Sequence, residues 1–190
     1  MPTDADVYAS LQGALSALGL RWYVFGGQAA IIHGATRFTE DIDVTVDLAE
    51  TERAVLVQRL QAQGFSLRVA DDDFIEQTHV VPLVHEPTQM PVDLVLAGPG
   101  IEEMFFERVA QVDIEGQPVP VACAEDIVTM KILSARPKDL DDATAIVMAQ
   151  ADHFEAQRVR HLLGLLEQAL DQSDLLPAFE ACLTRSREQG

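Results

Sequence analysis

The chain has 190 residues, with 31 acidic and 13 basic side chains and a formal net charge of −18. Its 48% hydrophobic content excludes a disordered chain. No apolar run reaches the roughly 18 residues that a membrane-spanning helix needs, and the N-terminus lacks a signal-peptide pattern, so we expect a soluble cytoplasmic protein. The acidic charge disfavours a general nucleic-acid binder and suits a cationic substrate, a basic partner or simple solubility.

Hydrophobic periodicity predicts an α+β first half with five to seven strands, followed by an all-helical second half. In chain order, the first half has helix 4–18, strand 22–25, helix 28–33, strand 41–47, helix 51–63, strands 65–69, 79–85 and 92–96, helix 101–108, and a hairpin with arms 109–114 and 119–121. The second half has helices 124–135, 139–150, 155–170 and 174–186. The three consecutive acids at 71–73 are interpreted as a solvated turn. We expect a core over residues 1–122 and a helical region over 123–190 that packs on it.

Gly26 and Gly27 lie between a predicted strand and a predicted helix. Glycine lets a backbone approach a phosphate closely, and the free N–H groups at a helix start attract anions. A tight turn alone also explains two adjacent glycines. The pair is therefore a phosphate site only in combination with other residues.

Asp41 and Asp43 are two residues apart on a predicted strand, so their side chains point to the same face. Two carboxylates so close repel each other unless a cation lies between them, and Mg²⁺ binds carboxylates together with substrate phosphates. Asp93 interrupts an otherwise apolar strand, where an acid is unfavourable without a partner. If the two strands are neighbours, the three acids form a site of the kind that two-metal enzymes use.

These residues together resemble a known superfamily. The Gly-Gly pair, the run RFTEDIDV at 37–44 and the later strand acid are similar to the nucleotidyltransferases of the DNA polymerase β type. The run EDIVTMKILSARPKDLDD at 125–142 is similar to a lysine-containing helix and an acidic segment of minimal nucleotidyltransferases, closest to the toxin-type enzymes of abortive-infection (AbiEii-like) systems. The resemblance covers about residues 20–150. It implies a mixed β-sheet flanked by helices, followed by a C-terminal helical bundle.

The resemblance also implies roles for individual residues. Asp41, Asp43 and Asp93 would ligate Mg²⁺ or Mn²⁺, with Asp93 assisting the attacking hydroxyl, and Lys131 would reach the triphosphate of the NTP. The implied nucleotide-binding residues are Gly26, Gly27, Arg37, Thr39, Lys131, Arg136, Lys138 and Asp142. Gly27 stands where many relatives have serine. Local alternatives stay open, because Arg37 also fits a surface loop, Thr39 a turn cap and Lys131 an ordinary helix surface.

The implied reaction moves a nucleoside monophosphate from NTP to an acceptor hydroxyl. Within the toxin-type group the acceptor would be a tRNA 3′ end or a protein, and a cognate antitoxin would be encoded nearby. Two alternatives remain at this point: an antibiotic nucleotidyltransferase, which the acidic surface suits, and a catalytically silent fold that serves as an antitoxin or scaffold.

Overall fold

A computed structural model describes residues 3–189 of the chain. Its helices are α1 (Asp4–Ser16), α2 (Gly26–Ile32), α3 (Arg53–Gln61), α4 (Asp72–Thr78), α5 (Ile101–Phe106), α6 (Ala124–Ser134), α7 (Pro137–Gln150), α8 (Ala156–Leu170) and α9 (Leu175–Gln189). Its strands are β1 (Arg21–Phe25), β2 (Ile42–Asp47), β3 (Phe65–Leu67), β4 (Val80–His85), β5 (Met90–Leu96), β6 (Ala110–Ile114) and β7 (Gln117–Val121). None of these helices combines the length and the apolar character that crossing a membrane requires.

Within the described residues the strands form one seven-stranded mixed sheet, in the order β3-β4-β5-β2-β1-β7-β6. Strand β2 is parallel to β5, and β1 is parallel to β7. The other neighbouring pairs are antiparallel. Parallel neighbours need a long crossover, and α3, β3, α4 and β4 supply it between β2 and β5. This order brings the two strands with the predicted acids side by side in the middle of the sheet.

The contacts divide the chain into two compact units, and the first contains the whole sheet. It comprises the described part of Met1–Phe25 together with Thr39–Val121. Helix α1 contacts α3, β1 and β7, and its residues Val7, Leu11 and Leu15 recur at helical spacing with 0% exposure. Each fully buried aliphatic side chain of this kind contributes up to about 1.5–3 kcal/mol to folding.

The second unit comprises Gly26–Phe38 and the described part of Ala122–Gly190, so it contains α2 and α6 to α9. Helix α6 is its centre, because α6 contacts α2, α7, α8 and α9. Asp126 of α6 is fully buried and forms an ion pair with Arg158 of α8 at 2.8 Å. Burial nevertheless raises the pKa of Asp126, against the lowering effect of Arg158.

At two positions of this second unit the backbone requires glycine. Gly26 begins α2 with φ +65°, a left-handed conformation that glycine adopts without strain. Gly34, at φ +113°, follows α2 where the loop passes against α7, and a Cβ at this position would lie 2.3 Å from the Cβ of Ala149. The loop therefore approaches α7 more closely than any residue with a side chain would allow.

The predicted α+β class is confirmed, and the elements lie close to their predicted bounds. The interpretation of residues 71–73 as a turn is wrong, because α4 begins at Asp72. The Asp71 carboxylate caps this helix by accepting the backbone N–H groups of Asp73 at 3.0 Å and Phe74 at 3.2 Å. Acids are favourable at a helix start, which is why three in a row begin a helix here.

The predicted division into residues 1–122 and 123–190 stays a prediction. The contacts group Gly26–Phe38, which that prediction assigned to the core, with the C-terminal helices. Helix α2 contacts α6 and α7.

Candidate active site

Three carboxylates converge on one face of the sheet. Ligand atoms of Asp41, Asp43 and Asp93 all lie within 4.8 Å of one another. Asp43 and Asp93 are directly paired in the parallel register of β2 and β5, and Asp41 lies just before β2. The predicted convergence of these three acids is confirmed. Among residues 3–189, this is the group of His, Cys, Asp and Glu side chains whose geometry suits a metal ion.

The alternation of the two strands fixes where these carboxylates point. The residues that flank Asp43 and Asp93 along their strands have 0% exposure: Ile42, Val44, Val92 and Leu94. A register slip by one residue would bury the acids and expose the aliphatic side chains, so the register is strongly specified. All three carboxylates are partly exposed, and a ligand can reach them from solvent.

Thr39 orients one of the acids. Its hydroxyl donates a hydrogen bond of 2.5 Å to Oδ1 of Asp41, two residues further along the chain. This contact fits the interpretation of Thr39 as a cap of the turn before β2. A role of Thr39 in nucleotide binding stays a prediction.

Arg68 contacts the site, and the sequence did not indicate it. The residue follows β3, and its guanidinium forms an ion pair with Oδ1 of Asp93 and donates from Nε to the carbonyl oxygen of Leu83 at 2.9 Å. Arg68 and Asp93 are 25 residues apart in the sequence. The signal that could have found Arg68 is the sheet order β3-β4-β5, which local patterns do not contain.

The second unit holds a separate, buried cluster of charges. The Lys131 ammonium on α6 donates to Oδ1 of Asp139 at 2.7 Å and to Oδ2 of Asp142 at 2.8 Å, both on α7. Arg37 also donates to Oδ2 of Asp142 at 2.8 Å, and the Arg136 guanidinium pairs with Asp139. The lysine has 6% exposure. The alternative of an ordinary helix surface is therefore wrong for Lys131, and its buried partners are two carboxylates of the next helix.

The environment of Asp139 shows how this cluster stabilises a buried carboxylate. Burial alone would raise the pKa of the Asp139 carboxyl. The hydrogen bonds from Lys131, Ser134 and Arg136 outweigh burial and lower that pKa to about 2. Ser134 donates its hydroxyl at 2.6 Å. The negative charge of Asp139 is stabilised entirely by neighbours within the helical unit.

Other predicted site residues are distributed as follows. Gly26 and Gly27 form the first turn of α2, directly after β1. Lys138 is exposed near the start of α7. The nucleotide-binding roles of Gly26, Gly27, Arg37, Thr39, Lys131, Arg136, Lys138 and Asp142 stay predictions.

The donor set of the acidic site fits a hard divalent cation. Mg²⁺ and Mn²⁺ prefer carboxylate oxygens, and Mg²⁺ is held in proteins by one or two carboxylates together with waters and substrate phosphates. Three half-exposed carboxylates with ligand atoms within 4.8 Å match this chemistry. They offer no sulfur or imidazole ligand that would favour zinc.

Comparison with known proteins identifies the family. The family described as nucleotidyltransferase of unknown function (DUF6036) matches residues 14–163. The chain belongs to this family. The matched segment includes every residue that the sequence predicted for the site, from Gly26 to Asp142. No curated protein sequence matches the chain.

Solved nucleotidyltransferase structures share this fold. ANT(2″)-Ia in complex with adenylyl-2″-tobramycin has a TM-score of 0.60 and 17% identity over 89% of this chain and 99% of its own. An antigenic nucleotidyltransferase-like protein from Paracoccidioides brasiliensis has a TM-score of 0.55 and 20% identity over 93% of this chain and 92% of its own. The lincosamide antibiotic adenylyltransferase LnuA with bound lincomycin has a TM-score of 0.51 and 14% identity over 76% and 96% of the two chains. These structures confirm the predicted fold, and the family match confirms the predicted nucleotidyltransferase class.

Proposed function

We propose that this nucleotidyltransferase moves a nucleoside monophosphate from an NTP to an acceptor hydroxyl, with Mg²⁺ or Mn²⁺ held by Asp41, Asp43 and Asp93. The observation that carries the proposal is the convergence of the three carboxylates on neighbouring parallel strands. Two observations support an active enzyme over a silent scaffold. The family is one of nucleotidyltransferases, and three partly exposed acids lie close together although their mutual repulsion is unfavourable.

The reaction needs few protein groups. The acceptor oxygen attacks the α-phosphorus, the bond from that phosphorus to the β-bridging oxygen breaks, and pyrophosphate leaves. Asp93 accepts the hydroxyl proton, which then passes to solvent. Asp43 on β2 and Asp41, which the Thr39 hydroxyl orients, would hold the metal with their carboxylates. When bound, the metal supplies charge neutralisation at the phosphates, the main contribution to rate in such transfers.

The resemblance adds the nucleotide-binding part of the proposal. It assigns the triphosphate to Gly26, Gly27 and Lys131. The further nucleotide-binding residues that it implies are Arg37, Thr39, Arg136, Lys138 and Asp142. We regard Lys131, Asp139 and Asp142 first as a buried ion-pair cluster of the helical unit, since the lysine donates to the two carboxylates at 2.7 and 2.8 Å. A phosphate contact from Lys131 would need one of these bonds to open.

For the acceptor we propose a small, hydroxylated, cationic compound of the antibiotic type. The net charge of −18 attracts cations and repels the RNA backbone. Arg37 and Lys131, two basic residues of the resemblance that could otherwise contact RNA phosphates, form ion pairs with carboxylates. Structural neighbours with tobramycin-derived and lincomycin ligands point to the same class of acceptor.

The second candidate is the toxin role, with a tRNA 3′ end or a protein as acceptor and a cognate antitoxin as partner. The similarity of residues 125–142 to the toxin-type enzymes favours it. A gene for a small antitoxin next to this one would support that role.

One experiment separates these candidates. The purified protein is incubated with each α-³²P-labelled NTP and Mg²⁺, and with tobramycin, lincomycin, total tRNA or protein extract as acceptor. We expect label on a small cationic acceptor, and none with Asp43→Asn. Label on tRNA or on a protein would move the assignment to the toxin role. If folded wild-type protein labels none of these acceptors, nucleotidyl transfer to these acceptor classes is contradicted.

A further inference from the structure

Arg68 brings a cation to the acidic site from two strands away. Its backbone N–H donates to the carbonyl oxygen of Pro82 on β4 at 2.9 Å. Pro82 is in turn the partner of Asp93 in the antiparallel register of β4 and β5. Residues directly opposite each other in a sheet share one face, so Arg68, Pro82 and Asp93 form a row that continues to Asp43 on β2.

Pro82 explains how an arginine beyond a whole strand can contact Asp93. A proline has no N–H, so the hydrogen-bonded pairing of β3 with β4 cannot be completed at this position, and β3 ends at Leu67. Pro82 is buried, and the Arg68 guanidinium contacts Asp93 on the strand beyond β4. The guanidinium is then fixed at two points, the Leu83 carbonyl oxygen and Oδ1 of Asp93.

This geometry makes the arginine and a divalent cation compete for one carboxylate. Both bind Asp93, and both respond to the negative potential of the three converging acids. The side chains of Arg68 and Asp93 are 38% and 35% exposed, so water screens their attraction and the ion pair can be displaced.

We propose that Arg68 is a positioning residue that holds Asp93 in the metal-free site and competes with the divalent cation for it. Arg68 thereby sets the metal concentration at which the site fills. The proposal rests on the metal role given to Asp93 under Proposed function. It extends that role to a residue outside the motifs of the resemblance.

The test measures the Kd for Mn²⁺ of the full chain without nucleotide. The electron paramagnetic resonance signal of free Mn²⁺ is the readout. Arg68→Met should lower the Kd about tenfold, because one positive charge near a divalent ion is removed. Arg68→Lys keeps the charge and should stay within about twofold of wild type. Arg68→Gln is a second neutral variant and should agree with Arg68→Met. In the Asp93→Asn background the effect of Arg68→Met should shrink to about twofold, since Arg68 acts through Asp93.

The matched control is Arg53→Met, which changes the net charge equally in the same unit but removes an ion pair with Asp72. Its Kd should equal that of wild type. An unchanged or higher Kd for both neutral Arg68 variants would overturn the role of Arg68. An equal decrease in Kd for Arg53→Met would do the same. In both cases Mn²⁺ binding by the wild type would still support the metal site. Absence of Mn²⁺ binding by wild type would overturn both the metal site and the inference built on it.

Discussion

The protein has two clusters of aspartates, and their carboxylates have opposite environments. In the helical unit, Asp139 and Asp142 have side chains with 0% and 8% exposure, and both accept from the Lys131 ammonium. In the sheet unit, Asp41, Asp43 and Asp93 lie half-exposed with their oxygens within 4.8 Å of one another. The first cluster finds its cations inside the fold. The second faces solvent, where a cation from outside can bind.

Burial and partners separate the acids with a structural role from those suited to chemistry. Carboxylates that a fold buries with their own cations contribute to stability, and removal of one partner leaves an uncompensated charge. Carboxylates that converge at the surface repel each other, and a divalent cation from solvent relieves that repulsion. Substitutions should therefore affect activity in the sheet unit and stability in the helical unit.

The largest effect is expected from Asp43→Asn, which should lower nucleotidyl transfer about 10³-fold or more, because a metal ligand and several kcal/mol of transition-state stabilisation are lost. The free energy of unfolding should stay equal or rise slightly, since a like-charge contact is relieved. Pyrophosphate release measures the loss of activity, and urea denaturation measures the free energy of unfolding. Asp47→Asn, on the same strand but outside the three acids, is the control that should keep its activity.

Lys131→Met should destabilise the protein by about 3 kcal/mol, because Asp139 and Asp142 lose a shared cation while buried. Arg136 and Arg37 remain as partners, which limits the loss. The urea midpoint measures it, and Lys138→Met, at an exposed neighbouring position, should leave that midpoint unchanged. Equal midpoints for the two variants would show that the buried cluster is not a source of stability.

The contribution of Asp139 to stability should be visible in the pH dependence of the free energy of unfolding. Its pKa is lowered from the ordinary value of 3.8 to about 2 in the folded state. The unfolded chain therefore binds a proton first as pH falls. The stability from Asp139 is complete above about pH 4 and disappears between about pH 4 and pH 2. Urea midpoints from pH 2 to 5 should fall less steeply for Asp139→Asn than for wild type, and identical slopes would contradict this role.

The smallest effect is expected from Thr39→Val, which removes the hydroxyl that orients Asp41 and keeps the side-chain shape. One hydrogen bond to a charged group contributes about 1.5–3 kcal/mol, which sets the upper limit of the loss. Because Asp41 is partly exposed and water can replace the hydroxyl, we expect kcat to fall about fivefold to tenfold with little change in stability. A loss as large as that of Asp43→Asn would mean that Thr39 itself contacts the substrate.

Much of this site could be predicted from local sequence. The alternation around Asp43 and the acid within the apolar strand at Asp93 both depend on period-two patterns, which residues two apart encode directly. Their convergence also required β2 and β5 to be neighbours, and the motif order indicated that pairing.

Other features depend on tertiary pairing that local patterns do not carry. Arg68 reaches Asp93 only because β3 and β5 are both neighbours of β4 and because Pro82 lies between them. The start of α4 at Asp72 depended on side-chain capping by Asp71, and a run of acids alone resembles a loop. The grouping of α2 with the C-terminal helices depends on contacts such as Gly34 against Ala149.

A crystal structure with Mn²⁺ and a non-hydrolysable NTP analogue would locate the metal site through the anomalous signal of manganese. We predict a manganese peak about 2–2.5 Å from carboxylate oxygens of Asp41, Asp43 and Asp93. A peak at Asp139 and Asp142 instead, or ordered nucleotide with no manganese at the three acids of the sheet, would contradict the account.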